Sequence, residues 1–525
     1  MQTNYNVENA VTDTVKVVLI ASALVFLEKA IQINIGLNLA DEGYLWYGVT
    51  QTLKGDVALR DFSAYDPGRY YWSAFWCLLF GDGIIGIRMG TAIFQAIALC
   101  FGLLFLKKRM PFGPLLILAG GIILMWMYPR HKLFDLGASL MGVYFIYSLL
   151  EKPTIHRCLV SGIFVGLAAF LGRNHGLYLL LALISALGFL FFAINREDLW
   201  KKAVASGIGV FIGYLPMLAL ILLVPGFWGA FVDSVLYLFQ LRQTNLALPV
   251  PWPWIADYAG LSLKMKGFYF SQGVFFLLLP LFYSGVLVYC IFFKSINEKS
   301  KMLFAACIVG LFYMHHGFSR ADISHLAQSI HPFLLAFLLL CAIISFEHKK
   351  WSGRWVAAIL IGVLLIFSVF AIGIKSPFYN KVLDSGKNYT KTTIRGEDIW
   401  IHLRQEDLIR AVQKIAENIV SRDEMILIAP NRPGLYPIID QASPLRTIFF
   451  LFPESESVQT GMVKKLDEKK VNWVILANVA IDGRDDLRFR NTHSIVYDFI
   501  IQNYIQVGQH GLPGNYQLYH RPRGK

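Results

Sequence analysis

The sequence predicts a polytopic α-helical membrane protein of about eleven transmembrane helices, followed by a small extracytoplasmic α/β domain at the C-terminus. Three observations carry that prediction. The 525-residue chain is 56% hydrophobic and only 16% charged, against about 25% charged residues in an average soluble domain. Apolar runs of bilayer-spanning length recur between residues 15 and 374. Beyond them charge returns, and residues 376–525 hold 20 of the 48 basic and 17 of the 35 acidic residues. A membrane domain, 1–375, therefore precedes a water-soluble domain, 376–525. This composition excludes a soluble enzyme, a disordered chain and a nucleic-acid binder. Most of the +13 formal charge sits beside lipid, so the expected partners are membrane lipids and an anionic lipid substrate rather than nucleic acid.

Spans are predicted near 15–37, 86–106, 113–128, 134–150, 158–172, 176–194, 203–224, 273–293, 302–316, 326–346 and 355–374. Alternate turns are basic: Lys107-Lys108-Arg109, Lys152/Arg157, Arg196/Lys201/Lys202, Lys294/Lys299/Lys301 and Lys349/Lys350/Arg354. By the positive-inside rule these turns face the cytoplasm, which puts the N-terminus inside and the soluble tail outside. A bacterial inner (plasma) membrane location is expected. The first span has no small-residue cleavage site and reads as an anchor. All six cysteines lie in the hydrophobic part, with no CxxC or metal-ligand spacing, so neither a disulfide framework nor a metal site is expected.

In the tail, Leu408, Ile409, Val412, Ile415 and Ile419 have helical spacing, whereas Met425–Ala429 and Trp473–Leu476 read as short buried strands. The prolines of Pro430-Asn431-Arg432-Pro433-Gly434 remove amide donors, so this turn is not a phosphate loop.

The outer side is unusual. Its first loop, 38–85, starts with Asp41-Glu42-Gly43 directly after a span. It continues through Arg60-Asp61-Phe62 and Tyr65-Asp66-Pro67-Gly68-Arg69-Tyr70-Tyr71 to Gly81 and Arg88. A carboxylate fixed at a helix end can serve as a general base, whereas the bland alternative is an ordinary solvated helix end. A second long loop, 225–272, contains Trp252 and Trp254, suited to an interface. Cations also recur on this face: Arg130, His131 and Lys132, then Arg173 and His175, and His315, His316, Arg320 and His325 around Asp322. Asp135 opens the fourth span nearby, and Lys264 and Lys266 lie in the second long loop. A bound anion would account for them; snorkelling to headgroups is the structural alternative. Glu28 and Lys29 lie in the outer half of the first span, where ionisable residues are expensive and often functional.

Taken together, the first-loop pattern DEG…RDF…YDPGRYY…G…R resembles that of the GT-C membrane glycosyltransferases, in particular the branch of protein O-mannosyltransferases and lipid A aminoarabinose transferases. The resemblance extends to the chain plan of many spans, a first outer loop and an outer C-terminal domain. It implies an inverting transfer of a sugar from a polyprenyl-phosphate carrier, undecaprenyl- or decaprenyl-like, to an extracytoplasmic glycan, lipid or protein. Carried over, Asp41 is the base and Glu42 assists it. The mechanism then asks for cations to hold the leaving phosphate. Arg69, Arg173, His175, Arg320 and His325 are the candidates. Asp61, Tyr65, Asp66, Arg130, Asp135, His316, Asp322, Lys264 and Lys266 are candidates for substrate contact. A divalent cation at Asp41 is compatible with this chemistry, but no ligand set in the sequence demands one. The alternatives are a lipid or sugar transporter or flippase, for which the chain lacks paired halves, and an O-antigen polymerase or ligase, usually dominated by a late outer loop.

Overall fold

The computed structural model describes residues 2–193, 198–241, 245–255, 257–292, 297–347, 351–383, 386–421, 423–508 and 510–522. Of the basic turns above, Arg196, Lys294, Lys349 and Lys350 lie outside the described residues. The first fifteen helices are α1 (Gln2–Gln32), α2 (Asp41–Leu53), α3 (Gly68–Phe80), α4 (Ile84–Lys107), α5 (Pro114–Met125), α6 (Leu133–Glu151), α7 (Ile155–Leu171), α8 (Arg173–Ala193), α9 (Leu199–Leu223), α10 (Phe227–Leu241), α11 (Leu263–Phe292), α12 (Glu298–Ser319), α13 (Ile323–Ser329), α14 (His331–Glu347) and α15 (Trp351–Ala371).

Each predicted span falls on a helix, but not all are of spanning length. Among the described residues, seven helices are long and apolar enough to cross a membrane, and α13 with α14, bent by 58° at their junction, makes an eighth. Helix α1, which carries the predicted span 15–37, is not among them, and α5 and α7 are shorter; the 12 residues of α5 cover about 18 Å of a core about 30 Å thick. Chain continuity still requires α5 and α7 to return between the two ends of the bundle, as the ion pairs at one end make plain. Lys108 at the end of α4 and Arg157 near the start of α7 both bind Glu151 at the end of α6, at 2.8 and 2.7 Å. Arg109 pairs with Glu298 at the start of α12, and Lys107 with Asp13 of α1 at 2.9 Å. The long loop 225–272 is partly helical: after the turn at Pro225-Gly226, α10 forms, leaving Trp228, Leu236 and Phe239 exposed. Helix α11 starts ten residues before the predicted span, so Lys264 and Lys266 belong to its first turn.

The chain divides into two compact units, and the division does not follow a single cut at residue 375. One unit comprises residues 1–32, 91–228 and 235–379; the other comprises 33–90, 229–234 and 380–525. In the first, glycines allow α7 and α9 to touch through their backbones. A Cβ on Gly162 would meet the Ser206 carbonyl oxygen at 2.1 Å, and one on Gly213 would meet that of Ile163 at 2.0 Å.

The second unit contains α2, α3 and the elements after residue 379. These are the hairpin β1 (Tyr389–Ile394) and β2 (Glu397–His402), and a four-stranded sheet of β3 (Ile426–Ala429), β4 (Trp473–Ala477), β5 (Ile505–Val507) and β6 (Tyr516–His520) in the order β3-β4-β6-β5. Strands β3 and β4 run parallel with Ile426 opposite Trp473; β6 is antiparallel to both β4 and β5. A helix over Leu403–Asn418 covers the sheet with Ile409, Val412 and Ile415. Residues 33–90 join this unit because they share its core: Leu45, Trp46 and Val49 of α2 pack with Ile399, Ile401, Ile409 and Ile428. The backbone is stitched as well. Gly36 N donates to Trp400 O, and Trp400 N to Asn34 O, both at 2.7 Å. Glu397 accepts from Ile85 N at 2.9 Å, satisfying an orphan amide at the start of α4.

Candidate active site

In the second unit, α2 begins at the carboxylate pair. Asp41 and Glu42 occupy the first turn, where the positive end of the helix dipole favours anions. The preceding Asn38 organises that turn. Its Oδ1 accepts from the backbone amides of Ala40 and Asp41 at 3.0 and 3.1 Å, while its Nδ2 donates to Asp41 Oδ2 at 3.2 Å. Asp41 is half-buried. Glu42 is buried and engaged: Arg88 Nε and Nη2 donate to its two carboxylate oxygens at 2.8 Å each. The same guanidinium donates to the Ile33 and Gly36 carbonyls at 2.6 Å each. Glu42 thus anchors the approach to α2, an arrangement in which every partner is needed to offset the desolvation of two charges. Gly43 completes the motif for a steric reason, since a Cβ there would lie 2.6 Å from the backbone of Gly434. The Pro433-Gly434 turn therefore packs on α2.

A divalent cation fits this corner poorly. Glu42 is committed to Arg88, and no group of three metal-ligating side chains occurs among the described residues.

Elsewhere in the loop, Asp61 accepts from Val57 N at 2.7 Å and pairs with Arg60 at 2.8 Å. Burial pushes its carboxyl upward, but these partners outweigh burial and hold it below the usual range. Asp61 therefore builds the turn. Arg69 is buried in the first turn of α3 with its guanidinium 4.5 Å from the Tyr65 ring centre, and Asp66 is buried just before that helix. Tyr65 in turn meets Tyr44 edge-on at 5.1 Å, and Tyr44 meets Phe449 at 5.6 Å.

The first unit gathers a second set of polar groups where α6 and α8 begin and α12 ends, opposite the end tied by Glu151 and Glu298. Asp135, 1% exposed, accepts from His175 Nε2 at 2.9 Å, with Lys132 Nζ at 3.8 Å. The His175 ring lies 5.5 Å from that of His316, which lies 5.4 Å from that of His325. His325 Nδ1 donates to Asp322 Oδ1 at 2.8 Å, and Arg320 Nε donates to Asp322 Oδ2 at 2.6 Å. A row of three imidazoles thus runs between two carboxylates, with Lys132 and Arg320 at its ends. Burial pushes the Asp322 carboxyl upward, yet His325 and Arg320 outweigh it and keep the group well below the carboxylate range. Asp322 also caps α13 through its bond to His325 N. Arg320 is braced by Asp322, its neighbour in the predicted cluster, and by the Leu246 carbonyl, the latter at 3.0 Å.

Not every predicted cation joins this row. Arg130 turns away and donates to the Gln32 carbonyl at 3.0 Å. Lys266 is exposed, and Arg173 is half-buried in the first turn of α8. Lys264 sits 5.1 Å from the Tyr379 ring centre, while Lys375 sits 4.6 Å from that of Phe268. These reciprocal contacts bring two ammonium groups close enough to repel, with Asp322 also within electrostatic range of Lys375. Neither ammonium has a carboxylate within 4 Å among the described residues. Sequence reading missed Lys375, Asn38 and the role of Arg88. Lys375 ends an apolar span and looks like any terminal lysine, and nothing local marks Asn38.

Comparison with solved structures bears on the fold. ArnT from Cupriavidus metallidurans bound to undecaprenyl phosphate is similar over 98% of this chain and 98% of its own, with a TM-score of 0.53 and 12% sequence identity. Its apo state is similar over 97% and 98%, with a TM-score of 0.51. The chain has the GT-C fold. That fold accounts for both units, since the match runs through the membrane helices and the C-terminal sheet alike. An oligosaccharyltransferase from Archaeoglobus fulgidus is similar over 98% of this chain and 75% of its own at 11% identity, with a TM-score of 0.48. No family model and no curated protein sequence matches the chain.

Proposed function

We propose that the protein is an inverting glycosyltransferase that moves a sugar from a polyprenyl-phosphate carrier to an acceptor hydroxyl on the extracytoplasmic side of a membrane. The GT-C fold supports the general kind of reaction, given that one neighbour of that fold is bound to undecaprenyl phosphate. The observation that carries the reading for this chain is the half-buried, Asn38-held Asp41 at the start of α2.

In this reading Asp41 removes the acceptor's proton as its oxygen attacks the anomeric carbon from the face opposite the phosphate. The bond from that carbon to the phosphate oxygen breaks, and the electron pair leaves with the lipid phosphate. Proton removal of this kind contributes about 10²–10⁴-fold. Glu42 acts through Arg88, setting the turn that presents Asp41, rather than touching the sugar. The charge on the departing phosphate is stabilised by fixed donors in a low-dielectric setting. His325, His175 and Arg320 supply donors, and Lys264 with Lys375 supplies two cations otherwise lacking a close counter-ion. The end of the first unit that bears this row is opposite the end rich in Lys and Arg, so the positive-inside rule assigns it to the outer leaflet. The 380–525 region supports the first loop through a shared core, which gives the tail a role even before any contact with acceptor.

The test is to incubate purified protein with a panel of lipid-phosphate sugars and candidate acceptors, following release of carrier phosphate. Acceptor-dependent release from at least one donor is expected. Movement of intact lipid-linked sugar across a vesicle bilayer, with no cleavage of any donor, would replace this reading with that of a flippase.

A further inference from the structure

The polar groups left out of the reaction converge on a cavity of the first unit. Its volume is about 230 Å³; α1, α5 and the end of α15 bound it, and one side is open. Glu28, Gln32, Arg130 and Ser376 form its polar side, and Leu124 and Ile372 are among its apolar lining. The polar side is preorganised. Gln32 donates to Glu28, Ser376 donates to Gln32 Oε1 at 3.0 Å, and Arg130 Nη2 donates to the Gln32 carbonyl. Lys29 pairs with Glu28 at 2.7 Å and is 8% exposed. Glu28 Oε2 faces Lys29 Nζ and its Oε1 faces Gln32, so each oxygen keeps a second lone pair for a further donor. An ion pair in an apolar helix is expensive and needs a reason. The turn Arg130–Lys132 separates the two systems, sending Arg130 to this cavity and Lys132 to Asp135.

We infer that this cavity binds the headgroup of a membrane phospholipid: a phosphodiester set against Arg130, whose head substituent carries a hydrogen-bond donor, hydroxyl or ammonium, directed at Glu28. Three observations commit the site to an amphiphile. Its walls hold one guanidinium and one carboxylate, a complement for a phosphate followed by a donor. The opposite wall is apolar. The flanking helices continue that apolar surface outward, with Phe26 71%, Leu27 57% and Ile366 57% exposed, as acyl chains require. This site is separate from the proposed transfer chemistry and does not depend on it.

The test is native mass spectrometry of the detergent-purified full chain, titrated with phosphatidylethanolamine, with phosphatidic acid and, separately, with phosphoethanolamine lacking acyl chains. One tightly retained phosphatidylethanolamine is expected, at least tenfold preferred over phosphatidic acid, with the chain-free headgroup failing to compete. Glu28→Gln should erase the preference between the two lipids, and Arg130→Ala should weaken both. Gly121→Leu fills space at the cavity wall, where a Cβ meets nothing within 4 Å, and should lower retention tenfold with unchanged thermal stability. Equal retention of both lipids by the native chain would overturn the inference, as would unchanged retention in all three variants. Competition by phosphoethanolamine alone would show a soluble-ligand site and overturn it equally.

Discussion

Asn38 and Arg88 determine how Asp41 is presented, each through different chemistry. Asn38 binds Asp41 directly, so Asn38→Ala should lower turnover by about tenfold while leaving the fold intact, the equivalent of about 1.4 kcal/mol in the barrier. Steady-state kinetics of transfer will check this, and an unchanged kcat would reduce Asn38 to a turn former. Arg88→Ala is different because it strands a buried carboxylate. Removing one partner of a buried pair costs about 3–5 kcal/mol, so the variant should lose thermal stability outright, and Glu42→Gln/Arg88→Met together should recover most of it. A thermal-shift series over the singles and the double measures this directly.

At the scale of elements, the α7–α9 pair and the His493 environment give independent predictions. Gly166 touches α9 so closely that a Cβ would lie 2.2 Å from the Val210 carbonyl oxygen. Small residues in such membrane helix pairs permit backbone contact. Gly166→Leu should therefore abolish the folded yield, whereas Gly188→Leu, whose Cβ meets nothing within 4 Å, should be tolerated; size-exclusion profiles will separate them. In the other unit, His493 is buried and stacked on Phe489 at 5.2 Å with an interplanar angle of 7°. Burial lowers its pKa from 6.5 to about 4. The unfolded chain then takes up a proton that the folded chain refuses between those values, so stability falls as pH drops from 6.5 towards 4. The loss is about 3 kcal/mol. Thermal unfolding between pH 4 and 7 should show this slope, and His493→Phe should flatten it. The elements themselves were largely readable: apolar runs mark the spans, and β3 and β4 stand out as short apolar stretches in a charged tail. Helix α10 was hidden because Pro225-Gly226 reads as the start of a loop, although the turn ends within three residues.

At the scale of the whole molecule, what the sequence conceals is long-range. The core shared by residues 33–90 and 380–525 leaves no periodic trace, because Trp46 and Ile409 are each ordinary buried positions in their own helices. The same applies to the imidazole row. Asp135, His175, His316 and His325 can each be picked out as polar residues on an outer face, but their order across four helices depends on packing. Glu42 is the clearest case: the motif invites a catalytic role, and only the fold reveals Arg88 as its partner. In the proposed reaction Asp41 serves the chemical step and not the binding of the donor. The most direct measurement compares native protein with Asp41→Asn in two assays on the same lipid-phosphate sugar, equilibrium donor binding and acceptor-dependent release of carrier phosphate. Donor affinity within about twofold of native and release slowed by at least about 10²-fold are expected. Release at the native rate in Asp41→Asn would contradict that role.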